Sequence, residues 1–134
     1  MGSLLLQSKF DLNVLIVDDS PGLRQRLAEM LKAVVGLNIV GQAHSVAEAR
    51  WAIQELKPNL VVLDLQLGDG NGIEILRETK EKDPSIMFVV FTNQSEIQYR
   101  QRCANLGADY FLCKSTGARS LIALSESLVT TQGN

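Results

Sequence analysis

Acidic, hydroxyl and basic side chains each follow an apolar run in this sequence. Asp18 and Asp19 come directly after one such run, Asp64 after a second, Thr92 after a third and Lys114 after a fourth. Carboxylate oxygens are ligands that Mg²⁺ prefers, and an aspartate can accept a phosphoryl group covalently. A lysine ammonium and a threonine hydroxyl can hold phosphoryl oxygens. These residue types therefore point to phosphoryl transfer, with Asp64 as the nucleophile.

The apolar runs themselves have the length and composition of buried β-strands. We predict strands at Val14–Val17, Asn38–Ala43, Leu60–Leu63, Ile86–Phe91 and Tyr110–Cys113. Helical spacing of apolar residues follows each strand. The first helix opens at Ser20–Pro21 and the second at Ser45, in a capping box. The last three are predicted at Ile73–Lys82, Glu96–Leu106 and Thr116–Val129. Five strand–helix units predict an α/β fold, a doubly wound, five-stranded parallel sheet with five helices.

The carboxyl ends of parallel strands meet at one edge of a sheet, where such folds place their chemistry. The three aspartates would repel one another there unless a cation were bound. Mg²⁺ removes that cost and takes oxygen ligands. Taken singly, the residues have simpler interpretations: Asp18 and Asp19 can favour the dipole of the next helix, and Lys114 can be a solvated strand end. Their combination favours one shared site.

Length and composition indicate one ordinary globular domain. The chain has 134 residues, 46% hydrophobic and 21% charged, with 13 Lys+Arg against 15 Asp+Glu. A net charge of −2 argues against a general nucleic-acid binder. No apolar run approaches the length of a membrane span, and Cys103 and Cys113 have no metal-ligand spacing. We therefore expect a cytoplasmic protein, with an N-terminal extension at 1–11, the domain at 12–129 and a C-terminal tail at 130–134.

Four motifs in this order resemble the CheY-like receiver domain of two-component response regulators. They are VLIVDDS at 14–20, LVVLDLQLGDGNG at 60–72, FVVFT at 88–92 and GADYFLCKS at 107–115. The resemblance covers about residues 12–129 and implies a flavodoxin-like fold with strand order 2-1-3-4-5. It also implies that Asp64 is the phosphoacceptor, and that Asp18, Asp19, Asp64 and the backbone carbonyl of Gln66 hold Mg²⁺. Thr92 and Lys114 then contact the phosphoryl group, and Thr92 and Phe111 form the switch pair.

Three positions depart from the usual pattern of that family. Ser115 replaces the proline that commonly follows the lysine, so we expect a trans peptide bond there. Gly68 replaces a common proline, which predicts a flexible loop after Asp64. Asn93 is larger than the usual residue after the threonine and could narrow access to Asp64.

Several other residues have simple structural interpretations. We expect His44 to lie near the end of the second strand, Trp51 to be partly buried, and Cys103 to pack inward. Cys113, taken as part of a central strand, is expected to be buried and inert. Arg100, on the fourth helix, belongs either to a solvated face or to a partner surface.

The resemblance implies a stand-alone switch that is phosphorylated by a sensor histidine kinase or a phosphotransfer protein. It is not expected to be an enzyme with a substrate of its own. Output is expected through protein contacts on the face of the fourth helix, fifth strand and fifth helix, with homodimerisation on phosphorylation as an added expectation. Three alternatives stay open: a phosphorylation-independent binding module, a small-molecule phosphatase, and the receiver fragment of a longer transcriptional regulator.

Overall fold

Five parallel strands form the central sheet of the computed structural model, which describes residues 11–133. The strands are β1 (Leu12–Val17), β2 (Leu37–Ala43), β3 (Leu60–Leu63), β4 (Met87–Thr92) and β5 (Tyr110–Cys113). Their order across the sheet is β2-β1-β3-β4-β5, and every neighbouring pair is parallel. The predicted fold class and strand order are confirmed.

Five helices connect and follow the strands. They are α1 (Pro21–Lys32), α2 (Val46–Leu56), α3 (Ile73–Lys82), α4 (Ile97–Asn105) and α5 (Ala118–Gly133). The Ser20 hydroxyl accepts a hydrogen bond from the Leu23 N–H, and the Ser45 hydroxyl accepts one from the Glu48 N–H. Both predicted N-caps are therefore formed, because each hydroxyl satisfies a backbone donor that has no partner within its helix.

The core consists of two apolar layers, one on each face of the sheet. Residues of α2, α3 and α4 pack on one face, among them Ala49, Leu76 and Cys103. Residues of α1 and α5 pack on the other, among them Leu27 and Leu121. Strand residues alternate between the two layers, since successive side chains of a strand point to opposite faces. Helices therefore cover both faces of the sheet, and its carboxyl edge stays accessible for the site residues.

The C-terminal region differs from the prediction. Lys114–Thr116 forms a 3₁₀ turn, and Gly117, at a φ of 80°, separates it from α5. The helix then continues to Gly133, so four of the residues predicted as a tail at 130–134 are helical. No proline or glycine stops the chain before Gly133, which explains the extra turn. Residues 1–10 of the predicted N-terminal extension lie outside the described residues.

Two further findings concern the described residues 11–133. None of their peptide bonds is cis, so the predicted trans bond between Lys114 and Ser115 is confirmed. None of their helices has both the length and the apolar character needed to cross a membrane.

Candidate functional site

Four strands deliver the predicted site residues to one edge of the sheet. Asp18 directly follows β1, Asp64 follows β3, Thr92 is the last residue of β4, and Lys114 follows β5. Asp18, Asp64 and Thr92 are 2%, 3% and 0% exposed, although all three are polar. Burial of polar and charged groups is unfavourable unless they are paired. The partners of these side chains therefore define the site.

The Lys114 ammonium joins two of the buried carboxylates. Its Nζ lies 2.7 Å from Asp18 Oδ2 and 2.8 Å from Asp64 Oδ2. Burial disfavours the charged ammonium, but the hydrogen bonds to both carboxylates outweigh burial and raise the pKa of Lys114. The lysine thus stays cationic and holds together two groups that would otherwise repel each other.

The second oxygen of Asp64 is held by two donors. The Thr92 hydroxyl donates to Asp64 Oδ1 at 2.8 Å, and the Gln66 backbone N–H donates to the same atom at 3.1 Å. The Thr92 oxygen in turn accepts from the Gln94 N–H at 3.2 Å. Both oxygens of the carboxylate are therefore oriented, one by an ammonium and one by a hydroxyl and an amide.

The three aspartates form a cluster that can take a hard cation. Asp18, Asp19 and Asp64 each offer a carboxylate oxygen, and these oxygens lie within 4.8 Å of one another. Asp18 Oδ1 also accepts from the Ser20 N–H at 2.9 Å, which fixes its orientation. Asp19 is exposed and so is open to solvent. A donor set made only of oxygens fits Mg²⁺, which prefers such ligands and keeps several waters.

The loop after Asp64 is held by strand pairing and hydrogen bonds, which contradicts the predicted flexibility of the glycine-rich segment. Gln66–Leu67 and Gly70–Asn71 pair as a small antiparallel hairpin. The Asp69 carboxylate at its tip accepts from the Val46 N–H at 2.7 Å and the Ala47 N–H at 3.1 Å. These backbone hydrogen bonds lower the pKa of Asp69. The prediction was wrong because Asp69 supplies an acceptor that the N-terminus of α2 needs.

Gly72 fits the hairpin closely against the site. A Cβ atom at this position would lie 2.4 Å from the Asp64 backbone oxygen, closer than real side-chain carbons approach. The Gly72 N–H donates to the Leu65 carbonyl at 2.8 Å. A glycine is therefore required here because two backbone segments meet, and this contact couples the hairpin to the backbone of Asp64.

Phe111, the predicted switch aromatic, is half-buried on β5, three residues before Lys114. The Arg100 guanidinium lies 4.8 Å from the centre of its ring, a cation–π distance. The Arg100 Nε also donates to the Ser95 carbonyl at 3.2 Å. Arg100 therefore links α4 to β5 and to the loop that follows Thr92.

The sequence also led to predictions for Cys113, Trp51 and His44. Cys113 was expected in a central strand and buried, but it ends the edge strand β5 and is half-exposed. Its thiol forms a hydrogen bond with the Ser115 hydroxyl at 3.0 Å, which lowers the pKa of Cys113. Trp51 was expected to be partly buried but is 59% exposed on α2. His44 lies at the end of β2, where its Nδ1 is 2.7 Å from Glu48 Oε1. The first two predictions were wrong because local spacing does not reveal which strand is an edge or which helix face is covered.

Comparisons with known proteins agree with this architecture. The family model "Response regulator receiver domain" matches residues 14–126. Protein-glutamate methylesterase/protein-glutamine glutaminase of Treponema denticola is 34% identical over 88% of this chain and 33% of its own length. Response regulator GacA of Pseudomonas protegens is 32% identical over 83% of this chain and 52% of its own length.

A solved structure shows the same fold. The non-phosphorylated HemR receiver domain of Leptospira biflexa is 29% identical, with a TM-score of 0.80 over 90% of this chain and 95% of that one. The chain spans only a third to a half of the two curated relatives described above. The family model and the HemR structure both describe a receiver domain. The chain therefore belongs to the response regulator receiver domain family.

Proposed function

We propose that Asp64 accepts a phosphoryl group from a phosphohistidine of a sensor histidine kinase or a phosphotransfer protein. The observation that carries this proposal is the double anchoring of Asp64, with Lys114 and Thr92 each 2.8 Å from a different carboxylate oxygen. A carboxylate oxygen of Asp64 attacks phosphorus, the phosphorus–nitrogen bond to the donor imidazole breaks, and an acyl phosphate forms.

The protein's own groups hold and neutralise the transferred phosphoryl group. Lys114 has three N–H donors and can move from a carboxylate to a phosphoryl oxygen without leaving the site. The Thr92 hydroxyl can donate a hydrogen bond to a second phosphoryl oxygen. Asp18, Asp19, Asp64 and the Gln66 carbonyl would hold Mg²⁺, and the oxygen-only cluster supports this assignment. When bound, Mg²⁺ supplies charge neutralisation for the transferring phosphoryl group.

The chain then acts as a two-state switch and not as an enzyme with a separate substrate. Phosphorylation draws Thr92 towards the new phosphoryl oxygens and Phe111 changes its packing with it. The face formed by α4, β5 and α5 carries this change to a downstream protein. Arg100, stacked on Phe111, supports that face as the output surface. Homodimerisation on phosphorylation would use the same face. Because its phosphoryl donor is a kinase that consumes ATP, we place the domain in the cytoplasm.

A second candidate is the receiver part of a longer transcriptional regulator. Its support is a relative of that kind, the DNA-binding transcriptional activator DevR/DosR of Mycobacterium tuberculosis, of which the chain matches 46%. The reading frame that encodes the chain distinguishes this candidate from a stand-alone switch, which has no coding sequence for an output domain. Either candidate uses the same chemistry at Asp64. A phosphorylation-independent binding module is less well supported, because Asp64, Thr92 and Lys114 are all present and in contact.

Intact-mass measurement tests the proposal directly. The protein is incubated with acetyl phosphate, with and without Mg²⁺, beside the isosteric variant Asp64→Asn and the control variant Asp69→Asn. We expect one phosphoryl adduct on the native chain and on the control, only with Mg²⁺. Adduct formation on Asp64→Asn, or none on the native chain, would overturn the assignment of Asp64.

A further inference from the structure

A cavity lies at the end of the sheet opposite Asp64. Its volume is about 470 Å³, and it opens between α2 and α3 near the points where β3 and β4 begin. Nine of its lining residues are polar or charged, and the other four are aliphatic, namely Ile53, Pro58, Ile75 and Ile86. The last three are buried. Cavities of roughly 300–1,000 Å³ that combine apolar side chains with polar groups are typical of small-molecule sites.

The acidic side chains of this cavity are already engaged. Glu78 accepts two hydrogen bonds from the Arg50 guanidinium, each at 2.8 Å. Asp83 accepts from the Ser85 hydroxyl at 2.6 Å and from the Ser85 N–H at 3.2 Å. The charge of Glu78 is therefore matched by Arg50, whereas Asp83 is hydrogen-bonded only to the neutral hydroxyl and amide of Ser85.

Two lysines of the lining take part in no ion pair with the described residues. Lys57 and Lys82 both line the cavity, both are exposed, and among residues 11–133 no carboxylate lies within 4 Å of either ammonium. Lys57 also has a φ of 49°, a left-handed conformation in which glycine or asparagine is less strained. Lysines near helix C-termini compensate the helix dipole, which accounts for their charge. That role does not account for the cavity beside them.

We propose that this cavity binds a small amphipathic anion. The apolar body of the ligand packs on the isoleucines, and its single carboxylate, sulfonate or phosphate group lies against Lys57 and Lys82. Buried aliphatic side chains and two ammonium groups that form no ion pair with the described residues occur together here, and this pair of features favours a ligand that is apolar at one end and anionic at the other. The site is separate from the phosphoryl-transfer edge.

The probe for this proposal is 8-anilinonaphthalene-1-sulfonate, which has an aromatic body and one sulfonate. We expect saturable binding at one site, with a dissociation constant on the order of tens of micromolar, as an ordinary drug-sized ligand reaches. Trp51, the only tryptophan, lies next to the lining residue Arg50 and serves as an energy-transfer donor. Amide chemical shifts should move along α2 and α3, at the cavity. Shifts confined to the Asp64 edge or to α4 and β5 would overturn the proposal.

Matched variants and a matched ligand test the role of charge. Lys57→Gln with Lys82→Gln should weaken binding by at least about tenfold, since hydrogen bonds to charged groups are worth that much. The control Lys32→Gln, an exposed lysine on α1, should leave binding unchanged. N-phenyl-1-naphthylamine, which lacks the sulfonate, should bind more weakly than the anionic probe. If both probes bound equally well, or if the double variant and the control had the same affinity, the lysines would not recognise the anionic group. Either result would overturn the proposal.

Discussion

Replacement of Lys114 by methionine removes the one ammonium that joins Asp18 and Asp64. The two carboxylates are 2% and 3% exposed and offer oxygens within 4.8 Å of each other. At that separation and an effective dielectric constant of about 20, two unit charges repel by about 3.5 kcal/mol. Removal of one partner of a buried ion pair typically costs about 3–5 kcal/mol. We therefore expect Lys114→Met to lower the free energy of unfolding by about 3 kcal/mol at pH 8.

The pH dependence of the native protein follows from the same contacts. In the native protein, Lys114 has a raised pKa because its bonds to the carboxylates outweigh burial. Its contribution is therefore complete below its ordinary value of 10.5 and is lost as the pH rises through the raised pKa. Urea unfolding followed by circular dichroism at several alkaline pH values measures this loss.

Two controls isolate the charge effect from a packing effect. Lys32→Met, at an exposed position of α1, should change stability by less than about 0.5 kcal/mol. Adding Asp18→Asn to Lys114→Met removes one of the repelling charges and should recover most of the loss. Mg²⁺ should also stabilise the single variant, because a cation bound only by the folded state shifts the equilibrium towards it. A loss below about 1 kcal/mol, or one that Asp18→Asn does not relieve, would refute the reasoning.

Three further predictions concern the surroundings of Asp64. Thr92→Ala should cost about 1–3 kcal/mol in urea unfolding and slow the appearance of the phosphoryl adduct by intact mass, whereas Thr92→Ser should keep both near native. Gly72→Ala should cost about 1–3 kcal/mol, because its Cβ would meet the Asp64 backbone oxygen, while Gly68→Ala meets nothing within 4 Å and should be neutral. Asp69→Ala should lower hydrogen-exchange protection of the first two amides of α2. In the native chain that protection should hold above pH 3.8 and fall as the pH is lowered through the lowered pKa of Asp69. Unchanged protection in the variant would contradict the capping role.

The sheet and the position of the site residues could be predicted because each depends on local sequence. Buried parallel strands are continuous apolar runs, and the residue that ends each run must lie at the carboxyl edge. Asp18, Asp64, Thr92 and Lys114 were placed in this way, and the structure brings all four together. Strand β3 and helix α3 were predicted at their observed bounds because Pro58 and Pro84 leave little freedom in where these elements begin and end.

Contacts between segments distant in sequence could not be predicted in the same way. Asp69 and Val46 are 23 residues apart, and nothing in the glycine-rich segment shows that its carboxylate reaches the start of α2. The Arg100 stack on Phe111 and the exposure of Trp51 have the same origin. Each depends on how a helix packs against the sheet, which spacing along one helix does not determine. The prediction of a flexible loop after Asp64 was wrong for this reason.

The charges at the edge explain how a change at Asp64 can reach β5. Three carboxylates face one ammonium, and the Arg24 guanidinium donates to the Asp18 backbone oxygen, so the edge keeps a net negative charge that a bound cation can offset. In the proposed function, phosphorylation replaces the single charge of Asp64 by about two on the phosphoryl group. We expect Lys114, until then shared with Asp18, to turn towards the phosphoryl oxygens. Because Lys114 directly follows β5 and Phe111 lies three residues earlier on it, we expect this reassignment of one ammonium to be the first step by which the proposed switch moves its output face.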